Sequence, residues 1–149
     1  AGMLSKPPAC QGCPMYQDGR GFVPDEVPEG VPTAFVLGQN PGSDEEAEGR
    51  PYVGKTGQVM EREFFPRAGL RRGENVCIGN TLRCRLIVNG RRTNDMPKGE
   101  MWKKAVKHCT RAHLRIPESV KLVVAQGAHA ARARGLEGSI MEWRGFLLP

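Results

Sequence analysis

The sequence lacks the features that mark membrane-spanning, secreted and repetitive proteins. No apolar run approaches the length of about 20 residues that a membrane-spanning helix needs, and no signal-peptide pattern opens the chain. Internal repeats and low-complexity segments are also absent. Acidic residues are in the minority: 16 Asp and Glu stand against 22 Lys and Arg, and the net charge of +6 favours a polyanionic partner. We therefore expect a partner of negative charge and no contact with a membrane.

The size and composition of the chain are those of one globular domain. Its 149 residues are 39% hydrophobic and 26% charged, which is enough apolar material for a core. We treat residues 1–149 as a single domain in which residues 1–32, rich in proline and glycine, form a loop-rich lead-in. Five cysteines without a secretory signal favour a reducing compartment. We expect a cytoplasmic protein whose cysteines bind metal or pack in the core.

Short apolar runs alternate with helical patterns along the chain. The apolar runs predict four strands, at 33–37, 75–78, 120–125 and 141–148. Helical spacing of apolar residues predicts helices at 56–68, 97–115 and 128–134. Alternation of this kind favours a parallel sheet covered on both faces. The predicted fold class is therefore α/β, a three-layer αβα sandwich around a short, mainly parallel four-stranded sheet.

Side-chain amides follow two of the predicted strands. Gln39 and Asn40 come directly after the first strand, in a turn shaped by Pro41 and Gly42, and Asn80 follows the second strand. In open α/β sheets, ligands bind at the carboxyl ends of the strands. Farther on, glycines bracket a predicted helix start near Thr56, whose free N–H groups suit an anion. The pattern predicts a small pocket for a neutral polar group beside a phosphate.

The cysteines suggest a metal centre but do not identify it. Cys10 and Cys13 have the C-x-x-C spacing that lets two thiolates face one centre, and Cys84 and Cys109 each lie beside basic residues. Cys77 lies within an apolar strand and is better interpreted as a small core residue. Four soft ligands suit zinc or an iron–sulfur cluster, and spacing alone does not choose between them. Four unrelated core thiols are the remaining alternative.

Taken together, the motifs resemble the uracil-DNA glycosylase superfamily, and most closely its iron–sulfur branch, known as family four. That branch has C-x-x-C-P near its start, Gly-Glu-x-Pro-Gly after a strand, then acidic residues and Gly-Arg-Pro-Phe-Val-Gly-x-x-Gly-Gln. It continues with Ile-Thr-Asn-x-x-Lys-Cys-Arg, a later helical cysteine and an Ala-x-Gly turn. The corresponding segments here are 10–14, 38–42, 44–46, 49–58 and 78–85, then Cys109 and 125–127. The similarity extends over most of the chain, and the ordered set is far more specific than any single motif.

The resemblance implies a role for each motif residue. It implies that Cys10, Cys13, Cys84 and Cys109 hold a [4Fe–4S] cluster, leaving Cys77 out. Tyr52 is at the position where the family stacks an aromatic ring on uracil, and Asn80 is where an amide reads the pyrimidine edge. Such an enzyme extrudes a base from DNA and hydrolyses its bond to deoxyribose. The expected partner is uracil-containing DNA, single- or double-stranded, in a bacterial, archaeal or phage-infected cell.

The chain also departs from the family pattern at its catalytic positions. Gln39 replaces the motif glutamate, and Asn40 matches the mismatch-specific (family two) branch, in which that asparagine positions the water. An amide orients water but is a poor base, which predicts slow turnover. Glu45 aligns with an acidic position of the family and is a further catalytic candidate, with a solvated acidic loop as the alternative.

The superfamily's second motif, His-Pro-Ser or similar, would follow the last residues of the printed sequence. His108, His113 and His129 are on predicted helices and do not replace that histidine. The sequence therefore leaves two alternative functions open. One is a uracil-DNA glycosylase acting in base excision repair. The other is a weak or inactive glycosylase-like module that binds DNA or protein, as a monomer or as part of a larger replication or repair assembly.

Overall fold

A computed structural model of the chain describes residues 5–93 and 99–136. Its strands and helices alternate along most of this range. In chain order they are β1 (Gly19–Arg20), β2 (Ala34–Gly38), α1 (Ser43–Glu48), α2 (Lys55–Val59), α3 (Phe65–Arg67), β3 (Val76–Asn80), β4 (Arg85–Val88), β5 (Arg91–Thr93), α4 (Glu100–His113), β6 (Leu122–Ala125) and α5 (Gly127–Ala133).

A parallel sheet with the strand order β3-β2-β6 forms the centre of the fold. β2 pairs with β3 from Ala34↔Val76 to Gly38↔Asn80, and with β6 from Ala34↔Leu122 to Leu37↔Ala125. The predicted α/β class and parallel sheet are thereby confirmed. Three of the four predicted strands are present within a few residues of their predicted bounds. The fourth, predicted at 141–148, lies outside the described residues.

Alternate side chains of β2 point to opposite faces of the sheet and build two cores. Ala34 and Val36 pack with Phe65 of α3 on one face. Phe35 and Leu37 pack with Ala130 of α5 on the other. A strand buried on both faces has to be apolar at every position, which explains the unbroken apolar run of β2. Helices therefore cover both faces of the sheet, as the three-layer prediction required.

A second, antiparallel sheet, with the order β1-β4-β5, was not predicted. Asn89 and Gly90 form the tight turn of a β4–β5 hairpin. Both residues have positive φ, +52° and +72°, which is the turn chemistry that Asn-Gly favours. β1 lies within the predicted lead-in and pairs with β4. The lead-in is therefore tied into the fold by backbone hydrogen bonds.

The helix predicted at 56–68 is not a regular α-helix. A π-helical segment, Met60–Phe64, separates α2 from α3, and Pro66 follows at once. Pro66 has no N–H to donate to the preceding turn, which fits the local widening of the helix. The extra residue changes the helical phase, so Phe65 is buried whereas Phe64 is 53% exposed. Phe64 therefore faces solvent although it belongs to the apolar spacing that predicts the helix at 56–68.

Helix α4 packs on the lead-in and on the second sheet rather than on the parallel sheet. Met15, Leu86, Trp102 and Val106 belong to one buried cluster, against which Cys13 and Cys84 pack. This third core joins the antiparallel sheet to α4 and places the cysteines beside it. Among the described residues, no helix is long and apolar enough to cross a membrane.

Candidate active site and cysteine cavity

An open pocket of about 380 Å³ lies at the carboxyl ends of β2, β3 and β6. Its wall combines the tips of the three strands with the loops that lead into α1 and α2. The lining residues are Gln39, Asn40, Gly42, Ser43, Asp44, Glu45, Tyr52, Gly54, Lys55, Thr56, Asn80 and Gln126. All five residues predicted for catalysis or base binding (Gln39, Asn40, Glu45, Tyr52 and Asn80) line this one pocket.

The parallel pairing of β2 with β3 brings the amide side chains together. Gly38 of β2 lies opposite Asn80 of β3, so the residues that follow β2 and the last residue of β3 meet at one edge. The hydroxyl of Thr81 and its backbone N–H both donate to the Gly38 carbonyl, at 2.8 Å each, which fixes this edge. A Cβ at Gly38 would lie 2.8 Å from Asn80 Oδ1 and would overlap the Tyr52 hydroxyl. Glycine at this position therefore allows the aromatic ring and the amide to approach the end of β2.

Tyr52 enters the pocket from a strained backbone position. Its φ is +55°, and its side chain is 9% exposed. The hydroxyl donates a hydrogen bond to Gln126 Oε1 at 2.5 Å. Burial, together with the negative charge of Glu45, raises the pKa of Tyr52 well above its ordinary value. The hydroxyl therefore stays protonated and acts as a donor across the biological pH range.

Glu45 connects two parts of the pocket wall. Its carboxylate accepts hydrogen bonds from the backbone N–H of Gly42 at 3.1 Å and of Gly54 at 3.0 Å. The first bond caps α1 and the second ties the loop before α2 to α1. α2 begins at Lys55 with Gly54 as its N-cap, so the helix starts one residue before the predicted start near Thr56. Glu45 thus shapes the pocket, and its predicted catalytic role stays a prediction.

Gln126 and Asp44 are among the pocket residues that the sequence does not single out. Gln126 ends the third strand, and besides accepting from Tyr52 its amide nitrogen lies 3.0 Å from Met60 Sδ. The rule that placed Gln39 and Asn80 at strand ends applies to Gln126 equally and would have found it. Asp44 also lines the pocket, beside Glu45 in the acidic run that opens α1. No pattern in the sequence separates Asp44 from its acidic neighbours.

The four cysteines predicted as ligands line a single small cavity. Cys10, Cys13, Cys84 and Cys109 enclose a space of about 30 Å³ together with apolar and basic side chains. Cys77 is fully buried in the core between β3 and α5, away from this cavity, as predicted. Residues far apart in sequence thus meet at one point: the lead-in, the β3–β4 connection and α4.

Basic side chains surround the cavity sulfurs. The Arg83 guanidinium, 1% exposed, donates to Cys109 Sγ at 3.6 Å, and His113 Nε2 lies 3.2 Å from Cys10 Sγ. Burial, reinforced by the charge of neighbouring cysteines, raises the pKa of the Cys84 thiol to about 12. A metal centre offsets the free-energy cost of ionising a buried thiol, because it binds cysteine as thiolate.

The four cysteines of the cavity are candidate ligands for a metal centre. Within 5–93 and 99–136, no group of three or more Cys, His, Asp or Glu is placed to hold a single metal ion. The cysteines of an iron–sulfur cluster stand farther apart, because each binds a different iron. Gly19 lies so close to Cys84 that a Cβ at position 19 would overlap the Cys84 sulfur. Glycine at this position therefore leaves the space that the sulfur occupies. Four thiols around one cavity are a soft donor set of the kind that binds zinc or an iron–sulfur cluster.

A family model for the uracil DNA glycosylase superfamily matches residues 24–148. The chain belongs to this superfamily. The resemblance drawn from the ordered motifs is thereby confirmed, and with it the α/β class that the structure shows. The matched range contains the whole pocket, whereas Cys10 and Cys13 precede it.

Several curated relatives in this superfamily are named type-4 uracil-DNA glycosylase. Those of Pyrobaculum aerophilum and Archaeoglobus fulgidus are each 38% identical, over 78 and 77 residues. That of Thermotoga maritima is 36% identical over 76 residues. The aligned regions cover 51–52% of this chain and 37–38% of each relative. Our chain thus matches well under half the length of these glycosylases.

Proposed function

We propose that this chain acts as a uracil-DNA glycosylase, hydrolysing the N-glycosidic bond of deoxyuridine in DNA during base excision repair. The observation that carries the proposal is the pocket at the strand tips, in which Tyr52, Asn80 and the Gln39–Asn40 corner line one space. A base taken out of the duplex needs an apolar surface to stack on and polar groups that read its edge. The superfamily and the names of the relatives support the same activity.

Each pocket residue has a role that suits this reaction. Tyr52 supplies a ring at the pocket wall, and the Asn80 amide offers both a donor and an acceptor to the uracil O4 and N3–H. Breaking the bond leaves an oxocarbenium-like sugar and a uracil anion, so a positioned water is needed at the sugar. Asn40, with Gln39 beside it, orients that water, and Glu45 keeps the corner in place through its bonds to the loops.

We propose further that Cys10, Cys13, Cys84 and Cys109 bind a [4Fe–4S] cluster. The convergence of the four sulfurs on one cavity supports this, as does the buried Arg83 against Cys109. When bound, the cluster supplies cross-links rather than chemistry at the base. The chain's own residues place the lead-in, the β3–β4 connection and α4 around it.

Iron and sulfide analysis tests the cluster. The protein purified without oxygen is expected to be brown, with broad visible absorption and about four iron and four sulfide per chain. Cys84→Ser is expected to lose the colour, whereas Cys77→Ser keeps it because Cys77 lies in a separate core. A colourless protein containing zinc contradicts the proposal.

An oligonucleotide with one deoxyuridine tests the glycosylase activity. Abasic-site formation, read as strand cleavage after alkali, is the expected result with the cluster-loaded protein. The same oligonucleotide with thymine in place of uracil is the control and is expected to stay intact. No cleavage at either base contradicts the proposed enzyme.

The alternative is a binding module that has kept the pocket and lost efficient catalysis. It is favoured by Gln39 at the motif's glutamate position and by Glu45, whose oxygens already accept two backbone N–H groups. Tight binding of the uracil oligonucleotide without cleavage would be its signature. DNA as the partner, the cytoplasm as the location, and a monomer or a larger assembly as the state all remain predictions under either function.

A further inference from the structure

We propose that Arg72 is a positioning residue for the pocket, which holds the backbone of Tyr52 in a left-handed conformation and keeps its ring in register with Asn80. The inference rests on the proposed function only in that Tyr52 is the residue that contacts the base. Arg72 does not line the pocket and has no part in the sequence motifs described above.

The backbone of Tyr52 needs an external restraint. Among the described residues, only Tyr52 and Asn89 are non-glycine residues with positive φ. Asn89 stands in a hairpin turn, where asparagine adopts this conformation readily. For a bulky aromatic residue the same conformation is unfavourable and persists only when its surroundings enforce it.

Arg72 supplies that restraint directly. Its Nη1 donates to the Tyr52 carbonyl at 2.8 Å, and its Nη2 donates to the Pro51 carbonyl at 2.5 Å. The side chain is only 8% exposed, so water does not compete well for these donors. A Cβ at Gly57 would overlap the Tyr52 carbonyl, so α2 packs against the same peptide.

The same guanidinium is anchored to the strand that carries Asn80. Its Nε and Nη2 donate to the two carboxylate oxygens of Glu26, at 2.8 Å and 2.9 Å. Glu26 in turn exchanges two backbone hydrogen bonds with Ile78 of β3, at 2.7 Å and 3.0 Å. Arg72 itself bridges to Val76 of that strand. A continuous path of hydrogen bonds thus runs from Tyr52 through Arg72 and Glu26 to β3.

The contacts require arginine rather than any cation. A planar guanidinium places several N–H donors in fixed directions, so it binds a carboxylate with one edge and two carbonyls with the rest. Lysine has one ammonium and cannot span the three acceptors in this geometry. Arg72→Lys therefore removes the restraint while keeping the charge, and Arg71→Lys, at an exposed neighbour, is the matched control.

The test compares these variants in two backgrounds. With wild-type Tyr52, Arg72→Lys is expected to lower kcat/KM on the uracil oligonucleotide by about 10- to 100-fold, because a misplaced contact residue costs this much. Arg71→Lys is expected to change it less than about twofold. In the Tyr52→Gly background there is no ring to hold and no strain, so Arg72→Lys should cost little further activity.

The thermal midpoints separate this inference from the proposed function. Arg72→Lys should lower Tm more with Tyr52 present than in the Tyr52→Gly background, and this comparison needs no activity. Equal losses in both backgrounds, whether of Tm or of kcat/KM, overturn the positioning role and leave Arg72 an ordinary structural residue. A wild-type protein that releases no uracil overturns the proposed enzyme, and the Tm comparison still decides the role of Arg72.

Discussion

Asn40 stands in the turn after the central strand, where a side chain is held by a short rigid backbone. Its amide nitrogen lies 3.4 Å from the Pro41 carbonyl, and the residue lines the pocket. An amide in this position can orient a water without taking its proton. Under the proposed function, the role of this residue is to place the water rather than to act as a strong base.

Asn40→Ala is therefore expected to lower uracil release by at least about 100-fold, since the water loses its orienting group. Binding of the uracil oligonucleotide is expected to change less than about threefold. Single-turnover cleavage and fluorescence anisotropy measure the two quantities. Gln17→Ala, which removes an exposed amide elsewhere, is the control, and unchanged cleavage by Asn40→Ala would rule out the role.

Helix α2 contributes to the pocket through the absence of a side chain. Gly57 is buried and lies against the backbone of Tyr52, so an added methyl group would meet a carbonyl rather than a movable side chain. Tyr52 or the helix would have to shift. Helix α2 and the loop that carries Tyr52 therefore pack directly against each other.

We expect Gly57→Ala to destabilise the protein by about 1–3 kcal/mol, as overpacking does, and to raise KM for the uracil oligonucleotide. Chemical denaturation and steady-state kinetics measure the two effects. Val59→Ala, at an exposed position of the same helix, is the control and should be near neutral. A Gly57→Ala protein with wild-type stability would show that the loop carrying Tyr52 can shift without a cost in stability.

Arg83 joins three elements at the cysteine cavity. It donates to Asp25 Oδ2 at 2.7 Å and to Cys109 Sγ of α4, while it extends from the segment between β3 and β4. Arg83 is 1% exposed, so the Asp25 carboxylate that it faces has little solvent to stabilise it. Removing the cation would leave Asp25 buried without its partner.

Arg83→Gln is expected to cost about 3–5 kcal/mol of unfolding free energy, as the loss of one member of a buried ion pair does. Urea denaturation measures it. Arg67→Gln removes an exposed arginine whose partner, Glu63, lies 3.9 Å away, and should cost less than about 1 kcal/mol. Equal losses for the two variants would show that the Arg83 pair is no stronger than a surface pair.

The charge of the whole molecule bears on the proposed binding of DNA. Lys104, Lys107 and Arg111 follow one another at helical spacing on the exposed side of α4, in a protein of net charge +6. Neutralised phosphates release counterions, so affinity falls linearly with the logarithm of salt concentration. We expect this face to contact the DNA backbone.

Replacing the three residues of this face by glutamine is expected to weaken DNA binding and to flatten its salt dependence by about 0.9 in slope per lost phosphate contact. Arg62, Arg67 and Arg71, changed to glutamine together, remove the same charge where carboxylates already pair with it. Anisotropy titrations at several salt concentrations compare the two. Identical slopes for both triple variants would contradict the assignment of the α4 face.

The response of the fold to acid follows from the Glu26–Arg72 pair. Burial by itself would raise the pKa of Glu26, but the hydrogen bonds and charge of Arg72, with Arg50, outweigh it and hold the pKa below its ordinary value. The pair therefore stabilises the folded state fully above the unfolded pKa of about 4.3, and this stabilisation is lost as pH falls through the lower folded value.

Glu26→Gln is accordingly expected to unfold more readily than the wild type near neutral pH and to show a smaller loss of stability below about pH 4.3. Thermal unfolding measured from neutral to acid pH tests this. Glu48→Gln, at an exposed position, should keep the wild-type pH profile. A Glu26→Gln profile parallel to the wild type would show that other carboxylates govern the acid response.

The sequence by itself determined the three described strands of the parallel sheet, the helices near 100–113 and 127–133, the pocket residues at two strand ends and the four cavity cysteines. These features depend on local periodicity, turn chemistry and ordered motifs, which are visible in a linear chain. Phe64, by contrast, was misplaced because a π-helical segment shifts the helical phase, and that shift depends on how Pro66 is accommodated. The Asn89–Gly90 hairpin was missed although its turn residues are typical.

Only the tertiary structure decided which side chains hold the pocket in shape. Arg72 and Glu26 are 46 positions apart, and Tyr52 and Gln126 are 74 apart, so no local pattern pairs them. The left-handed backbone of Tyr52 is likewise a product of its surroundings, since an aromatic residue has no preference for it. The local sequence determines which side chains are available to line the pocket. Long-range packing determines the distances and angles at which they meet.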